Sequence, residues 1–420
     1  MLYGTRVIPL VEQSSANGSL IGDGMKARFI TLGIAALAAA PFIGISAAQA
    51  SSDSHSAPHT VYVATKASSR AADRSCTTAG FTSINKAVTT VASGGTVIVC
   101  GGTYREDVAA NKSVKIEGRS NPTVDATKLT NGFAVTANRV SISGFTVKNA
   151  IGEGIIVQNA ANATIEHNTV SHNDQGVALV NPVDTKYQFC LPTNGQANDC
   201  GENIHLVGAT NTLVSNNVVV DGSGGILLTD ETGPTSHNVI SNNTVGNNHT
   251  ACGVVLAGHN PAAAPGGKPA PKVAGVFNNT VIGNNIFSNG LQAGGGAGVQ
   301  MATGAPGGAV YNNTVTKNMI NGNGHAGITL HSHAPGQDLN GNVVTSNQIG
   351  INNLNGDLAF PVQDKDTTGV FVGSAGKLSI TIKNNLIGSD HFGVFLVGPI
   401  TANGVHDNHF VANTTDVSVN

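Results

Sequence analysis

The chain contains 420 residues, among them 53 glycines and no tryptophan, and only 11% of its residues are charged. The formal net charge is -3 and no arginine follows Arg139, so the composition gives no electrostatic basis for binding nucleic acid. Apolar residues alternate with polar ones as far as the C-terminus, a regularity that disordered chains lack.

The N-terminal segment carries a targeting pattern. A basic start at Met25 precedes an apolar run over residues 29–43 and the small-residue cleavage sequence Ala-Gln-Ala at 48–50. This pattern predicts a secretory signal peptide over residues 25–50 and a mature protein that is secreted to the periplasm, the cell surface or the medium, without a transmembrane segment. Residues 1–24 are expected to be an unstructured upstream extension before a true start at Met25; the alternative is one long, unusual signal sequence.

Residues 51–60 are predicted to be a linker, and residues 61–111 the N-terminal cap and first coil of the folded part. Residues 61–64 are a predicted strand, and residues 83–91 place their apolar side chains on one face of a helix. Because the end of a stacked-repeat fold exposes apolar residues, we interpret this helix as an N-terminal cap. No comparable cap is visible after Phe410, so either the last strand or a second copy of the chain closes that end.

A recurring phrase organises residues 112–420. A glycine is followed by alternating aliphatic residues, a turn and a second short strand that ends in Asn-Asn-Thr-Val or a close variant. The glycine phrases stand at residues 154–157, 176–179, 225–228, 253–256, 298–301, 327–330, 369–372 and 393–396, and the asparagine phrases at 167–170, 216–219, 242–245, 278–281 and 312–315. A repeat of about two dozen residues built from short strands indicates a solenoid, here of roughly eleven coils. One strand spacing per coil gives a rod about 50 Å long.

Residues 95–108, which read GTVIVCGGTYREDV, are similar to the opening of many right-handed parallel β-helix proteins of the pectate-lyase-like superfold. Over residues 61–420 the chain resembles the secreted carbohydrate-binding and sugar-hydrolase repeat proteins of that group. The resemblance implies an all-β, right-handed, single-stranded parallel β-helix with a short N-terminal capping helix. It extends to a periplasmic copper-binding accessory protein of nitrous oxide reduction, so it does not by itself imply an enzyme.

The asparagine phrases have a structural interpretation. An asparagine at the same turn of successive coils can stack its side-chain amide on the next one and satisfy backbone groups of the turn. Asparagine also tolerates the left-handed conformation of a tight corner. We assign His167, His172 and His237, which stand in these turns, to the same structural role.

The five cysteines fit an exported protein. Cys76 and Cys100 bracket the first helix and strand, and Cys190 and Cys200 bracket one loop, so each pair is predicted to form a disulfide. Cys252 is left over and is predicted to be a buried small residue rather than a reactive thiol.

The best candidate binding face is the edge after the glycine-phrase strands. Alternation predicts that Ile226 and Leu228 point inward, whereas Leu227 and Thr229 point outward. The turn that follows is predicted to hold the insertions 181–203 and 259–275 and several polar turns. Long loops on one side of a solenoid usually build its binding face.

Two polar groups on this edge are candidates for chemistry. Asp230 and Glu231 are adjacent carboxylates one coil from His259, and they could bind a divalent cation such as calcium or act as acid and base; the alternative is a solvated turn. His331 and His333 form a His-x-His pair with Asp338 nearby in sequence, a pattern of metal sites; the alternative is two exposed loop histidines. Three coils, about 14 Å, separate Asp230 from His331, so one ion cannot bridge them.

Both groups could line one oligosaccharide groove. His205, Gln300 and Thr329 are outward-facing strand residues that could form its floor. Lys268 and Lys272, in the loop with His259, are the plausible source of a lyase base, and His331 is another candidate catalytic residue.

No motif for a known chemistry is complete. A polygalacturonase-like hydrolase would need several clustered aspartates and a Gly-His-Gly phrase, and neither is evident in the sequence. We therefore predict a secreted β-helix protein that binds a polysaccharide or cell-surface glycan along the loop-lined edge. The alternatives are a polysaccharide lyase or epimerase acting on an acidic glycan and a metal-binding accessory protein.

Overall fold

The computed structural model describes residues 57–66, 75–177, 201–258, 275–292, 295–304, 307–332, 336–358 and 363–420. In this part of the chain nearly all regular structure is parallel β-strand, arranged in three long sheets that we name A, B and C and one short sheet, D. The predicted signal peptide and upstream extension lie outside the described residues. No described helix is long and apolar enough to cross a membrane.

Sheet A contains twelve described strands. They are β1 (Thr60–Val63), β2 (Thr96–Cys100), β5 (Lys115–Arg119), β8 (Ser141–Ser143), β11 (Thr164–Glu166), β14 (Leu213–Ser215), β18 (Val239–Ser241), β22 (Thr280–Ile282), β26 (Thr314–Thr316), β29 (Val343–Thr345), β32 (Leu378–Lys383) and β35 (Ile400–Asn403). The first strand begins one residue before its predicted start, and backbone carbonyls of Pro58 and His59, in the predicted linker, already accept hydrogen bonds from Ala92 and Thr96.

Sheet B contains eleven described strands. They are β3 (Thr103–Tyr104), β6 (Thr123–Asp125), β9 (Thr146–Lys148), β12 (Thr169–Ser171), β15 (Val218–Val220), β19 (Thr244–Gly246), β23 (Asn285–Phe287), β27 (Met319–Asn321), β30 (Gln348–Ile349), β33 (Leu386–Gly388) and β36 (His409–Val411).

Sheet C also contains eleven described strands, and it carries the glycine phrases. They are β4 (Val108–Ala110), β7 (Asn131–Val135), β10 (Glu153–Gln158), β13 (Glu202–Val207), β16 (Gly224–Thr229), β20 (Val254–Gly258), β24 (Val299–Thr303), β28 (Ile328–Ser332), β31 (Thr368–Ser374), β34 (Phe392–Val397) and β37 (Thr415–Val419). Sheet D consists of β17 (Thr235–Ser236), β21 (Val276–Phe277) and β25 (Val310–Tyr311).

Each strand pairs in parallel with the equivalent strands of the coils before and after it, so the chain visits sheets C, A and B in turn. This is the predicted right-handed parallel β-helix, and eleven strands in sheets B and C confirm roughly eleven coils. One predicted strand is not found at its place. Gln175 and Gly176 form a turn, Val177 belongs to no strand, and residues 178–179 of the phrase lie outside the described residues; β13 takes the position between β10 and β16 in sheet C. The neighbouring insertion therefore precedes a sheet C strand instead of following one.

The core is a stack of aligned aliphatic side chains. Ile155, Ile204, Ile226 and Val254 occupy one register position on four successive strands of sheet C, and none of them is accessible to solvent. The predicted inward orientation of Ile226 and Leu228 is confirmed. Each coil therefore buries its apolar side chains against only its two neighbours, as a solenoid requires.

The glycine of the recurring phrase is required by the close stacking of the coils. A Cβ atom on Gly225 would lie 2.2 Å from the carbonyl oxygen of Gly253 in the next coil, and a Cβ on Gly298 would lie 2.6 Å from that of Gly327. Real Cβ atoms do not approach a backbone oxygen so closely, so no larger residue fits there without moving a strand.

The asparagines form stacked columns, as the sequence predicts. The first column lies between sheets A and B and contains Asn168, Asn217, Asn243, Asn284, Asn318, Asn347, Asn385 and Asn408. In each step the Nδ2 of one residue donates to the Oδ1 of the next. Corner residues before stacked asparagines adopt the left-handed conformation, with φ of 56° at His167 before Asn168 and of 57° and 59° at His172 and His237, which precede asparagines at other corners; this confirms their place in the turns.

A single α-helix among the described residues closes the N-terminal end. Helix α1 (Ile84–Thr90) buries Ile84, Ala87 and Val88 against the first coil. Glu106 holds the start of α1, because its carboxylate accepts hydrogen bonds from the Ile84 and Asn85 amides at 2.8 and 3.0 Å. At the other end, a 3₁₀ turn (Val405–Asp407) and the edge strands β36 and β37 follow, and Phe410 and Val417 remain partly buried.

The predicted Cys76–Cys100 disulfide is present and joins residues 24 positions apart. Removing it by paired Cys76→Ala and Cys100→Ala substitutions is expected to lower the free energy of unfolding by about 3 kcal/mol, because the unfolded chain regains the entropy of a closed ring. Thermal unfolding of the double variant and the native protein measures this. An unchanged melting temperature would contradict it. The predicted Cys190–Cys200 pair lies outside the described residues.

Candidate functional site

The outward face of sheet C carries a buried histidine held between two polar groups. His205 on β13 is 5% exposed, and its Nδ1 lies 3.3 Å from Oε1 of Glu153 on the preceding coil. Its Nε2 lies 2.9 Å from Oγ1 of Thr229 on the following coil. Because His205 aligns with Ile156 and Leu227 in the strand register, Glu153 and Thr229 stand diagonally on either side of it.

A second histidine group lies further along the same face. His331 on β28 is 3% exposed, and its Nε2 lies 3.3 Å from Oδ2 of Asp357. Nδ1 of His325 lies 3.9 Å from the same oxygen. The edge of the His331 ring contacts Phe371, with ring centroids 5.1 Å apart. Burial lowers the pKa of His325, although the nearby Asp357 carboxylate acts in the opposite direction.

The segment before β31 brings Asp357 back over the middle of sheet C. Asp357 is fully buried, and its negative charge acts on Cys252, which lies at the start of β20 three coils earlier. Burial above all, with smaller contributions from Asp357 and Glu202, raises the pKa of the Cys252 thiol to about 12. The thiol donates to Oε1 of Gln300 at 2.8 Å. Cys252 is therefore the buried, unreactive residue that the sequence predicts.

Two further buried carboxyl groups were missed by the sequence analysis. Thr368 Oγ1 donates to Oδ1 of Asp364 at 3.1 Å, and burial raises the pKa of Asp364 to about 7, with Asp357 adding to the shift. Burial also raises the pKa of Asp390 to about 7, and Asp364 contributes to it. Asp357 thus acts electrostatically on Asp364, and Asp364 on Asp390, an arrangement that was not evident in the sequence. The signal available was Asp390, an aspartate at a repeat position where other coils have asparagine.

The first predicted catalytic pair lies directly at the end of β16. Asp230 is 1% exposed and its backbone carbonyl accepts a hydrogen bond from the Gly233 amide in a turn. The alternative of a solvated turn is therefore wrong for Asp230, while Glu231 beside it is partly exposed. His259, Lys268 and Lys272, which were predicted to accompany this pair, lie outside the described residues.

The predicted metal group does not assemble as expected. His331 approaches Asp357, whereas Asp338 is exposed and accepts hydrogen bonds from the backbone and side chain of Asn340. His333 lies outside the described residues. In the described part of the chain, no three histidine, cysteine, aspartate or glutamate side chains are placed to hold a metal ion.

The predicted floor residues do share one line. His205, Gln300 and Thr329 occupy the same outward register position on β13, β24 and β28. The line is open only in part, since Gln300 is partly exposed, whereas Thr329 is 1% exposed and Leu227, which was also predicted to point outward, is 3% exposed. Outward orientation in the strand therefore does not mean exposure on this sheet.

Two open cavities flank the last coils. A polar cavity of about 540 Å³ is lined in part by Lys365, Asp366, Thr367, Asp390 and His391. An apolar groove of about 750 Å³ crosses the outer face of sheet B, lined in part by Phe287, Met319, Leu386 and Val411.

The three stacked parallel sheets define a right-handed parallel β-helix protein. The family model described as a right handed beta helix region matches residues 107–264, and the model described as periplasmic copper-binding protein (NosD) matches residues 274–420. The chain thus has the right-handed parallel β-helix fold. No curated protein matches its sequence.

Several solved structures are similar at low identity. An alginate lyase from Paenibacillus sp. str. FPU-7 is 12% identical over 85% of this chain and 99% of its own, with a TM-score of 0.43. The A-module of the mannuronan C-5 epimerase AlgE6 of Azotobacter vinelandii is 17% identical over 80% of this chain and 94% of its own, with a TM-score of 0.46. The pectate lyase Pel9A is 15% identical over 86% of this chain and 78% of its own, with a TM-score of 0.48.

Proposed function

We propose that the protein is exported and binds a polysaccharide along the outward face of sheet C. The arrangement of Glu153, His205 and Thr229 carries the proposal. Stacking of the coils needs only apolar side chains on the inner face, and burying a charged or polar group costs free energy unless its partners are arranged for it. A histidine fixed by two partners on the outer face, where coil stacking does not require it, supports a role of this group in shaping a binding surface.

The chemistry of this face favours a neutral glycan over a uronic-acid polymer. Sugar hydroxyls are recognised by a small number of well-placed carboxylates, amides, hydroxyls and imidazoles. From β10 to β28 the described outward positions of sheet C supply Glu153, Glu202, His205, Gln300 and His331, with no lysine or arginine among them. Such a face would repel a uronate unless a divalent cation such as calcium lay between them.

The test uses the mature protein and a panel of neutral and uronic-acid polysaccharides, with and without calcium, in affinity electrophoresis. Native protein is expected to bind at least one neutral glycan, and His205→Ala is expected to weaken this binding about 10- to 100-fold through loss of a buried hydrogen-bonding group. His409→Ala, an exposed histidine on sheet B, is the matched control and should bind normally. Folding of each variant is checked by circular dichroism.

The outcomes separate the alternatives. Absence of binding by folded native protein, or equal binding by His205→Ala, would refute the proposal. Calcium-dependent release of unsaturated uronate ends would establish the lyase instead, and a change in uronate stereochemistry without cleavage would establish the epimerase.

A copper-accessory function is the second candidate. It is favoured by the match of the NosD model to residues 274–420, which contain His325 and His331. The described side chains hold no three-ligand metal position, so this function requires donors beyond those described. Copper content after loading and dialysis tests it: retention of copper by native protein and its loss in His331→Ala would support it, and no retention would exclude it.

A further inference from the structure

A second column of stacked amides, between sheets B and C, is interrupted by an aspartate. Its members are Asn173, Asn203, Asn248, Asn289, Asn323, Asn352, Asp390 and Asn413. In the five steps from Asn173 to Asn352, the Nδ2 of one residue donates to the Oδ1 of the next over 2.8 to 3.1 Å. The column thus depends on a donor and an acceptor at every position.

Asp390 has the shape of the asparagine it replaces. Its Oδ1 accepts a hydrogen bond from the backbone N–H of Asn352 at 3.0 Å, and the backbone N–H of Asp390 donates to Oδ1 of Asn413 at 3.1 Å. Its Oδ2 lies 3.3 Å from the point that a Cβ on Gly369 would occupy. The Nδ2 of Asn352 lies 2.9 Å from the equivalent point on Gly327, so Oδ2 takes the place of an amide nitrogen.

The substitution removes a donor from a buried position. Asp390 is 3% exposed, and its Oδ2 has no hydrogen-bond partner among the described residues. By the pattern of the column, the atom at this position faces Oδ1 of the next member, here Asn413. A neutral carboxylic acid would supply the missing hydrogen, whereas a carboxylate would place two acceptors in contact and bury a charge.

We propose that Asp390 is a proton-binding site built into the column, which secures the last two coils when it is protonated and loosens them when it ionises. These coils contain β34 and β37. The proposal is independent of the glycan ligand.

Asp364 favours a neutral carboxyl, because it adds negative charge near Asp390. The adjoining cavity also carries Lys365, whose positive charge acts in the opposite direction, together with Asp366 and His391. Burial raises the pKa of Asp390 from 3.8 to about 7, more than the Asn352 hydrogen bond lowers it. Folding then takes up a proton between these two values, so stability falls as the pH rises from about 4 to about 7 and does not recover above it.

The test compares melting temperatures at about pH 4.5 and pH 8.5. Asp390→Asn restores the missing donor, and its gain in melting temperature over native protein is expected to be about 4 °C larger at the higher pH. Asn289→Asp, which places the same change in an unbroken part of the column, is the matched control and should create a new loss of stability at high pH. Asp364→Asn tests the neighbouring carboxyl, whose pKa burial also raises to about 7; it should remove its own part of the native pH dependence and leave the part due to Asp390 in place.

Hydrogen exchange reports where the effect lies. After correction for intrinsic rates, amides of β34 and β37 are expected to lose protection above neutral pH in native protein but not in Asp390→Asn. A gain that is equal at both pH values would overturn the proposal, as would a pH dependence abolished by Asp364→Asn and unchanged by Asp390→Asn.

Discussion

Replacing Gly225 with alanine is expected to lower the free energy of unfolding by about 3 kcal/mol or more, the upper part of the range for overpacking a core. The added Cβ would lie 2.2 Å from the Gly253 carbonyl oxygen and 2.6 Å from a methyl carbon of Val245. The first neighbour is backbone and cannot rotate away, so one coil must move from the next. Chemical denaturation of the variant measures the loss.

The control for this substitution is Gly376→Ala. No atom lies within 4 Å of a Cβ placed on Gly376, and its φ is not positive. Alanine there should leave stability nearly unchanged or raise it by a few tenths of a kcal/mol through the unfolded state. Similar losses at both glycines would show that the recurring glycine is not a stacking requirement.

Replacing Asn284 with leucine is expected to lower the free energy of unfolding by about 3 to 5 kcal/mol, because it leaves several buried polar groups without partners. Oδ1 of Asn284 accepts hydrogen bonds from the amide and the Nδ2 of Asn243 at 2.9 and 3.0 Å. Its Nδ2 donates to the Ile240 carbonyl and to Oδ1 of Asn318 at 2.9 and 3.0 Å. Asn284 is 2% exposed, so water cannot replace these bonds.

The adjacent residue provides the matched control. Asn285 has an exposed side chain on the outer face of β23, and Asn285→Leu should change stability by less than about 0.5 kcal/mol. Equilibrium unfolding in guanidinium chloride compares the two variants. If Asn284→Leu were as mild as Asn285→Leu, the columns would contribute little to the stability of the solenoid.

These two substitutions affect features that repeat along the sequence, and the sequence predicted such features correctly. The glycine phrase predicted most strands of sheet C, the asparagine phrase predicted the corners, and the apolar face of α1 predicted the N-terminal cap. The prediction of a sheet C strand failed at Gly176, which lies in a turn, and β13 forms the next strand of sheet C instead. A glycine with alternating aliphatic residues is therefore neither sufficient nor necessary for the position in sheet C, since β13 has Asn203 where β16 has Gly225.

The candidate site was predicted less completely. His205, Gln300 and Thr329 were correctly placed on one outward line, because strand alternation and coil stacking are periodic. The burial of His205 and Thr329 was not predicted, since outward positions are usually solvated. The association of His331 with Asp357 rather than Asp338 was also missed, although Asp338 is nearer in sequence.

The sequence alone determined the solenoid, its number of coils, the inner aliphatic stack and the asparagine columns. Each of these follows from a pattern that repeats in every coil, and a repeat places residues about one coil apart in contact. Only the tertiary structure decided which side chains meet on the outer face of sheet C, and that Asp357 acts on Asp364 and Asp364 on Asp390. These contacts depend on how the non-repeating segment before β31 folds back over earlier coils, and no periodic pattern encodes that path.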